Sequence, residues 1–146
     1  MHSASVLLVE DNPNDEELTC DVLSRNGLLN PVIVVRDGAE ALDYLFGRGE
    51  YADRDVGDLP LVVLLDLNLP KLGGLDVLRA VRADPRTHLL PVVILTSSGE
   101  DRDLLEGYAS GANSYVVKPV GYPEFTESVR QLGLFWTLTN RVPPSV

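Results

Sequence analysis

The fold is decided by residues 61–66, which read LVVLLD. Five branched aliphatic residues in a row are too few for a helix and are typical of a strand buried on both faces of a parallel sheet. The run ends at a charged residue, Asp66. Four further short apolar runs recur along the chain, at residues 5–9, 32–35, 92–95 and 114–117.

Segments with helical spacing separate these runs and follow the last one. The first begins at Asn12 and Pro13, a helix cap followed by proline at the first helical position, and we expect Gly27 to end it. The other helices are predicted over residues 39–46, 75–83, 101–110 and 124 to about 138. Alternation of strand and helix predicts an α/β fold with a doubly wound five-stranded parallel sheet, for which we favour the flavodoxin-like order 2-1-3-4-5.

The composition is typical of one globular domain. The chain has 146 residues, 45% of them hydrophobic, and a formal net charge of −10. This acidic balance argues against nucleic-acid and membrane partners, which bind to clusters of Lys and Arg. A single cysteine, Cys20, excludes an internal disulfide and a thiolate zinc site. Without a signal peptide or an apolar stretch of about 20 residues, we expect a cytoplasmic protein with one domain over residues 1–138 and a tail over residues 139–146.

The residues that directly follow the strands carry the chemistry. In a parallel sheet the carboxyl ends of the strands meet at one edge, and ligands bind there at the point where the strand order reverses. Three carboxylates, a hydroxyl and an ammonium group are expected at this edge: Glu10, Asp11, Asp66, Thr96 and Lys118.

This set of side chains favours phosphoryl transfer. Carboxylates that lie close together repel each other, and a bound cation relieves the repulsion. Because every candidate ligand is an oxygen atom, a hard ion such as Mg²⁺ fits better than zinc or copper. Asp66 is the candidate nucleophile, since a carboxylate can form an aspartyl phosphate. Lys118 would place positive charge against phosphoryl oxygens, and Thr96 would donate its hydroxyl. Each residue alone could be a cap, a turn residue or a solvated lysine, but their joint placement favours a site.

Four stretches around these positions match the pattern of a known family. They are VLLVEDN (6–12), VVLLDLNLPKLGG (62–74), VVILTSS (92–98) and SYVVKP (114–119). Through them the chain resembles the CheY-like receiver domain of two-component response regulators, over about residues 5–133.

The resemblance implies a function for each of these residues. Asp66 would accept a phosphoryl group from a phosphohistidine of a sensor histidine kinase. Glu10, Asp11, Asp66 and the backbone carbonyl of Asn68 would hold Mg²⁺. Thr96 and Lys118 would contact the phosphoryl group. Thr96 and Tyr115 would form the conformational switch, and the Lys118–Pro119 peptide bond would be cis.

A closer resemblance is carried by two more stretches. RDGAEALDYLFGRGEYAD (36–53) and NPND (12–15) are similar to the small response regulators that partner bacterial phytochromes. This similarity implies a phytochrome-type, red-light-sensing histidine kinase upstream. The long charged connection over residues 47–60 is interpreted either as a solvated surface loop or as a partner contact.

The last predicted helix has two apolar sides. One side should face the sheet and comprises Phe125, Val129, Leu132 and Trp136. The other side faces outward, and an exposed apolar side favours contact with a partner. We therefore predict a homodimer built partly from Leu134, Phe135 and Leu138. Incidental apolar residues at a frayed helix end are the alternative interpretation. Because the chain ends shortly after this helix, we expect its output to be a protein contact.

Three alternative functions have discriminating features. A Mg²⁺-dependent phosphatase of a free substrate would carry its Asp nucleophile on the first strand and a second acid two residues later, where this chain has Asn68. A flavin-binding electron carrier needs a phosphate loop after the first strand, where this chain has the acidic EDNP (10–13). An interaction module that works without phosphate would not need the full set of charged groups. We expect no classical enzyme, only catalysis of the protein's own phosphotransfer and dephosphorylation.

Overall fold

The computed structural model describes residues 5–25 and 30–144. Five parallel strands form one sheet in the order β2-β1-β3-β4-β5, as the sequence predicts. The strands are β1 (Val6–Val9), β2 (Val32–Val35), β3 (Val62–Leu65), β4 (Val92–Thr96) and β5 (Ser114–Val117). The helices are α1 (Pro13–Arg25), α2 (Gly38–Phe46), α3 (Gly74–Ala83), α4 (Asp101–Ala109) and α5 (Tyr122–Leu134). Gly27, the expected end of the first helix, lies outside the described residues.

The unbroken apolar character of the central strands reflects burial on both faces of the sheet. Every residue of β1, β3 and β4 is buried. Successive side chains of a strand point to opposite faces. Leu7 and Val9 of β1 accordingly pack against α2 and α3 on one face of the sheet. Val6 and Leu8 pack on the other face, together with Trp136 just after α5. Each layer therefore buries its own set of side chains, and the sheet lies between them.

Helix caps fix the chain where it leaves the carboxyl edge of the sheet. The Asn12 side-chain oxygen accepts hydrogen bonds from the backbone N–H groups of Asn14 (2.9 Å) and Asp15 (3.1 Å), which confirms the predicted cap of α1. Asp37 caps α2 in the same way by accepting from the N–H of Glu40 at 2.7 Å. Gly47 ends α2 in the left-handed conformation, with φ of 66°.

The connection over residues 47–60 is folded onto α2. The Tyr51 hydroxyl donates to Glu40 at 2.7 Å, and the Tyr51 ring packs edge-to-face on Tyr44 with ring centres 5.2 Å apart. The Arg54 guanidinium lies 4.0 Å from the centre of the Tyr44 ring and donates to the Tyr44 backbone carbonyl at 2.7 Å. The connection is thus a surface loop that Tyr51 and Arg54 anchor on α2, and its use as a partner contact stays a prediction.

The C-terminal part departs from the predicted single helix. The α-helix ends at Leu134 and is followed by a π-helical turn, Phe135–Thr139. The wider turn leaves Trp136 buried in the core while its neighbour Phe135 packs edge-to-face against it, with ring centres 5.1 Å apart. Further on, Pro143 and Pro144 line a cavity of about 190 Å³ beside the connections that precede β3 and β4. None of the helices in the described ranges is long and apolar enough to span a bilayer.

Candidate functional site

Three carboxylates meet at the carboxyl edge of the sheet, as the sequence predicts. Glu10, Asp11 and Asp66 each offer one oxygen atom, and these three atoms lie within 4.8 Å of one another. The pairing of Val9 with Leu65 makes β1 and β3 end together, so the residues that follow them are neighbours. Glu10 and Asp66 are buried and Asp11 is exposed. The cluster is thus held in the protein on one side and opens to solvent on the other.

Lys118 supplies the positive charge of the site. Its Nζ atom lies 2.6 Å from Glu10 Oε1, 2.8 Å from Asp15 Oδ2 and 3.0 Å from Asp66 Oδ2. The backbone N–H of Lys118 donates to the carbonyl of Thr96 at 2.7 Å, which ties the end of β5 to the end of β4. An ammonium group has three N–H donors, and all three are used here.

Thr96 and Asn68 donate hydrogen bonds to the other carboxylate oxygen of Asp66, Oδ1. The buried Thr96 hydroxyl donates to Asp66 Oδ1 at 3.0 Å, and the backbone N–H of Asn68 donates to the same atom at 3.1 Å. Both oxygens of Asp66 are therefore oriented by the protein, one by these two donors and the other by Lys118. Donors on both oxygens fix the direction of the carboxylate.

Electrostatics at this edge is dominated by burial and by the lysine. Burial raises the pKa of Glu10 to about 7, against the opposing effect of its hydrogen bond with Lys118. Burial alone would lower the pKa of Lys118, but the carboxylates of Asp15, Glu10 and Asp66 outweigh it and hold that pKa above its usual range. Lys118 is consequently charged at any physiological pH.

The donor set fits a hard divalent cation. Three carboxylate oxygens within 4.8 Å of one another are the ligands that Mg²⁺ and Mn²⁺ accept, and the set contains no sulfur or imidazole. The carbonyl of Asn68, which the resemblance adds to this set, stays a prediction.

One prediction about this site is wrong. The Lys118–Pro119 peptide bond is trans, because no bond among the described residues is cis. The trans form of a bond before proline is the more stable one by about 0.5–1 kcal/mol. Lys118 makes its three ionic hydrogen bonds with the trans geometry, so the contacts of its side chain do not require the other isomer.

Tyr115 lies between the site and α4. Its hydroxyl donates to the backbone carbonyl of Ser98 at 2.8 Å, and the Ser98 hydroxyl in turn donates to the carboxylate of Asp103 in the first turn of α4. Gly107 of α4 allows close packing there, since a Cβ atom at that position would lie 3.1 Å from the Tyr115 ring. A chain of contacts thus connects the end of β4 to α4, and the proposed switch residue is part of it.

Two acids that contact residues of this region, Asp15 and Asp103, were not predicted from the sequence. Asp15 has a signal in the sequence, because it stands one helical turn after Asp11 within the NPND stretch. Asp103 has none beyond its place in the first turn of a helix, where acidic residues are common.

The residues predicted for a dimer interface are partly exposed. Phe135 is 47% exposed and Leu138 is 74% exposed, whereas Leu134 is half-buried. A second group of exposed apolar side chains lies on and around α4 and β5: Leu105, Tyr108, Val117, Val120 and Tyr122.

Comparison with known proteins identifies the class of protein to which this fold and this site belong. The model of the response regulator receiver domain matches residues 6–130. The chain therefore belongs to the response regulator receiver family, the phosphorylatable signalling domains of two-component systems, and such a domain works with a histidine kinase.

Three similar proteins span nearly the whole chain. Response regulator Rcp1 from Synechocystis sp. is 34% identical over 138 residues, which cover 94% of this chain and 92% of Rcp1. A solved structure of Rcp1 is its Mn²⁺-bound form, with a TM-score of 0.89. The phosphorylated cyanobacterial phytochrome response regulator RcpA has a TM-score of 0.90 at 35% identity, with coverage of 97% and 99%. The bacteriophytochrome response regulator AtBRR is 50% identical, with a TM-score of 0.74 and coverage of 95% and 99%.

Proposed function

We propose that Asp66 accepts a phosphoryl group from a phosphohistidine of a sensor histidine kinase, and that residues 1–138 act as one receiver unit in the cytoplasm. The observation that carries this proposal is the arrangement around Asp66. Its buried carboxylate receives hydrogen bonds from Thr96 and Lys118 and lies beside the acidic pair Glu10 and Asp11.

The reaction exchanges one bond to phosphorus for another. A carboxylate oxygen of Asp66 attacks the phosphorus atom, the P–N bond to the kinase histidine breaks, and its electron pair stays on the imidazole nitrogen. The Lys118 ammonium and the Thr96 hydroxyl donate to the phosphoryl oxygens, where negative charge is spread during the transfer. Glu10, Asp11, Asp66 and the Asn68 carbonyl would hold Mg²⁺, which neutralises part of that charge when bound. Attack of water on phosphorus would later break the P–O bond to Asp66, release inorganic phosphate and regenerate the carboxylate.

The signal would leave the site through α4. A phosphoryl group on Asp66 takes up the hydroxyl of Thr96, and the contacts from Tyr115 through Ser98 to Asp103 carry the change to the first turn of α4. The exposed apolar side chains of α4, Leu105 and Tyr108, suit a protein partner, and Tyr108 lies beside the Tyr115 ring.

We also propose a homodimer that uses Leu134, Phe135 and Leu138. The exposure of Phe135 and Leu138 supports it, because large apolar side chains that are exposed next to each other favour burial against a partner. Light scattering should give the mass of a dimer, and replacement of Phe135 and Leu138 by serine should give the mass of a monomer.

A phytochrome-type kinase is the proposed input. The similarity to the phytochrome response regulator RcpA and to the bacteriophytochrome response regulator AtBRR supports it. Phosphotransfer from a purified bacteriophytochrome kinase should be faster than from a histidine kinase of another class.

Intact mass measurement tests the central proposal. After incubation with acetyl phosphate and Mg²⁺, the wild-type protein should gain one phosphoryl group, and Asp66→Asn should gain none. A chelator should abolish the gain, because the transfer requires the divalent cation. A gain in Asp66→Asn, or a wild-type protein that neither gains mass nor binds beryllofluoride, would contradict the proposal.

A further inference from the structure

Asp15 is the one partner of Lys118 that the family pattern leaves without a role. Its carboxylate lies 2.8 Å from Lys118 Nζ, in the first turn of α1. We propose that Asp15 is a positioning residue that competes with the phosphoryl group for the Lys118 ammonium, and so limits how tightly the site holds that group. This inference rests on the proposed function of Asp66 and Lys118.

The occupancy of the donors on Lys118 sets up the competition. All three N–H groups are engaged with carboxylates, on Glu10, Asp15 and Asp66. A phosphoryl group on Asp66 can take over the donor that Asp66 receives now, whereas any further donor from Lys118 must be given up by Glu10 or Asp15.

Exposure indicates which carboxylate gives up its bond. The side chain of Asp15 is 30% exposed, against 3% for Glu10 and 10% for Asp66. A carboxylate that loses a hydrogen bond is stable only if water replaces the donor, and an unsatisfied buried group is costly. Asp15 is therefore the partner that can release Lys118 at the lowest cost.

Asp15 is also held in place to take the lysine back. Its backbone N–H donates to the side chain of Asn12 at 3.1 Å, within the cap that begins α1. The cap fixes the first turn of the helix, and with it the position of the carboxylate. Asp15 thus acts as a fixed alternative acceptor for the ammonium rather than as a mobile surface acid.

The charge of Asp15 gives the proposal a distinctive signature. A negative charge next to the acidic cluster attracts a divalent cation, and the same charge repels a phosphoryl group. Removing the charge should weaken the binding of Mg²⁺ and, at saturating Mg²⁺, strengthen the binding of a phosphoryl group. A residue that only stabilises the fold would not move these two affinities in opposite directions.

The test uses Asp15→Asn, which keeps the shape of the side chain but removes the negative charge that competes for the Lys118 ammonium. Glu17→Gln is the matched control, because Glu17 is an exposed acid on the same helix and loses the same charge. Calorimetric titration measures the binding of Mg²⁺ alone and then of beryllofluoride, a phosphoryl mimic, at saturating Mg²⁺. In Asp15→Asn we expect Mg²⁺ to bind about fivefold more weakly and beryllofluoride about fivefold more tightly, the size expected for an interaction between two partly exposed charges. In Glu17→Gln both affinities should change by less than about twofold.

The outcomes separate this inference from the function on which it rests. Opposite shifts in Asp15→Asn, with wild-type behaviour restored by Asp15→Glu, support the competition. Shifts in the same direction, or an Asp15→Asn protein that behaves like Glu17→Gln, overturn it while the proposed function stands. A wild-type protein that does not bind beryllofluoride contradicts the proposed function itself. Circular dichroism melting of each variant verifies that the protein is folded.

Discussion

Two cations lie at opposite ends of the sheet, and their partners differ. At the carboxyl edge, Lys118 is bonded to three carboxylates. Near the amino edge, Arg82 of α3 donates to neutral oxygens, the backbone carbonyls of Gly111 (2.9 Å), His88 (3.0 Å) and Leu90 (2.7 Å) and the Asn113 side chain (2.9 Å). The donors of both the guanidinium and the ammonium group are satisfied. Only the lysine lies among several carboxylates, which repel one another and require its positive charge.

The pKa directions of the two cations show what the difference means. Burial lowers the pKa of Arg82, and its neutral partners do not reverse that effect. The carboxylates around Lys118 reverse the same effect of burial and raise its pKa. Arg82 therefore holds together the connections that precede β4 and β5, whereas Lys118 balances charge that a cation or a phosphoryl group can rearrange. The first arrangement connects two segments of the chain, whereas the second concentrates charge at the proposed phosphorylation site.

Loss of Lys118 should have the largest effect. Lys118→Ala leaves the buried Glu10 and Asp66 without their cation, and breaking a buried ion pair from one side costs about 3 kcal/mol or more. We expect the free energy of unfolding to fall by about that amount in metal-free buffer. Addition of Mg²⁺ should recover part of it, since the cation would replace the missing positive charge. Urea denaturation with and without Mg²⁺ measures both effects.

Loss of Arg82 should have a smaller effect that Mg²⁺ does not change. Arg82→Ala removes hydrogen bonds to four neutral oxygens and should lower the free energy of unfolding by about 2 kcal/mol. The same urea series makes this variant the control for Lys118→Ala. If Mg²⁺ stabilised both variants equally, the distinction between the two ends of the sheet would be wrong.

The sequence predicted the parts of the molecule that depend on local pattern. Unbroken apolar runs located the five strands to within one residue, and the residues after them located the acidic cluster, because parallel strands bring their ends to one edge. Asp15 could not be assigned in this way, since an acid in the first turn of a helix is equally well explained by the helix dipole. The end of α5 at Leu134 was also missed: the burial of Trp136 was predicted correctly, but the π-helical turn that contains it depends on tertiary packing, which the spacing of apolar residues does not show.

The docking of residues 47–60 was missed for the same reason. Its contacts join Tyr51 to Glu40 and Arg54 to Tyr44, residues that are 11 and 10 positions apart and share no periodic pattern. Charge and glycine content favoured a solvated loop, whereas one tyrosine and one arginine decide the structure. Long-range pairs of this kind become visible only when the elements are placed in space.

Loss of the Tyr51–Glu40 hydrogen bond should have the smallest effect on the free energy of unfolding. Unlike Lys118 and Arg82, Tyr51 is a group that the protein favours in its neutral form. Burial, together with the Glu40 carboxylate, raises the pKa of Tyr51 to about 12 from its ordinary value of 10. A raised pKa means that the protonated tyrosine stabilises the fold below pH 10, and that this contribution is lost as the pH rises from 10 to 12. Tyr51→Phe should lose about 0.5 kcal/mol at neutral pH, since it removes one half-exposed hydrogen bond. Urea denaturation across the alkaline range measures the free energy of unfolding of the wild type and of this variant. The difference between the two should shrink as the pH rises over that interval. A difference independent of pH would show that the hydroxyl does not interact with the Glu40 charge.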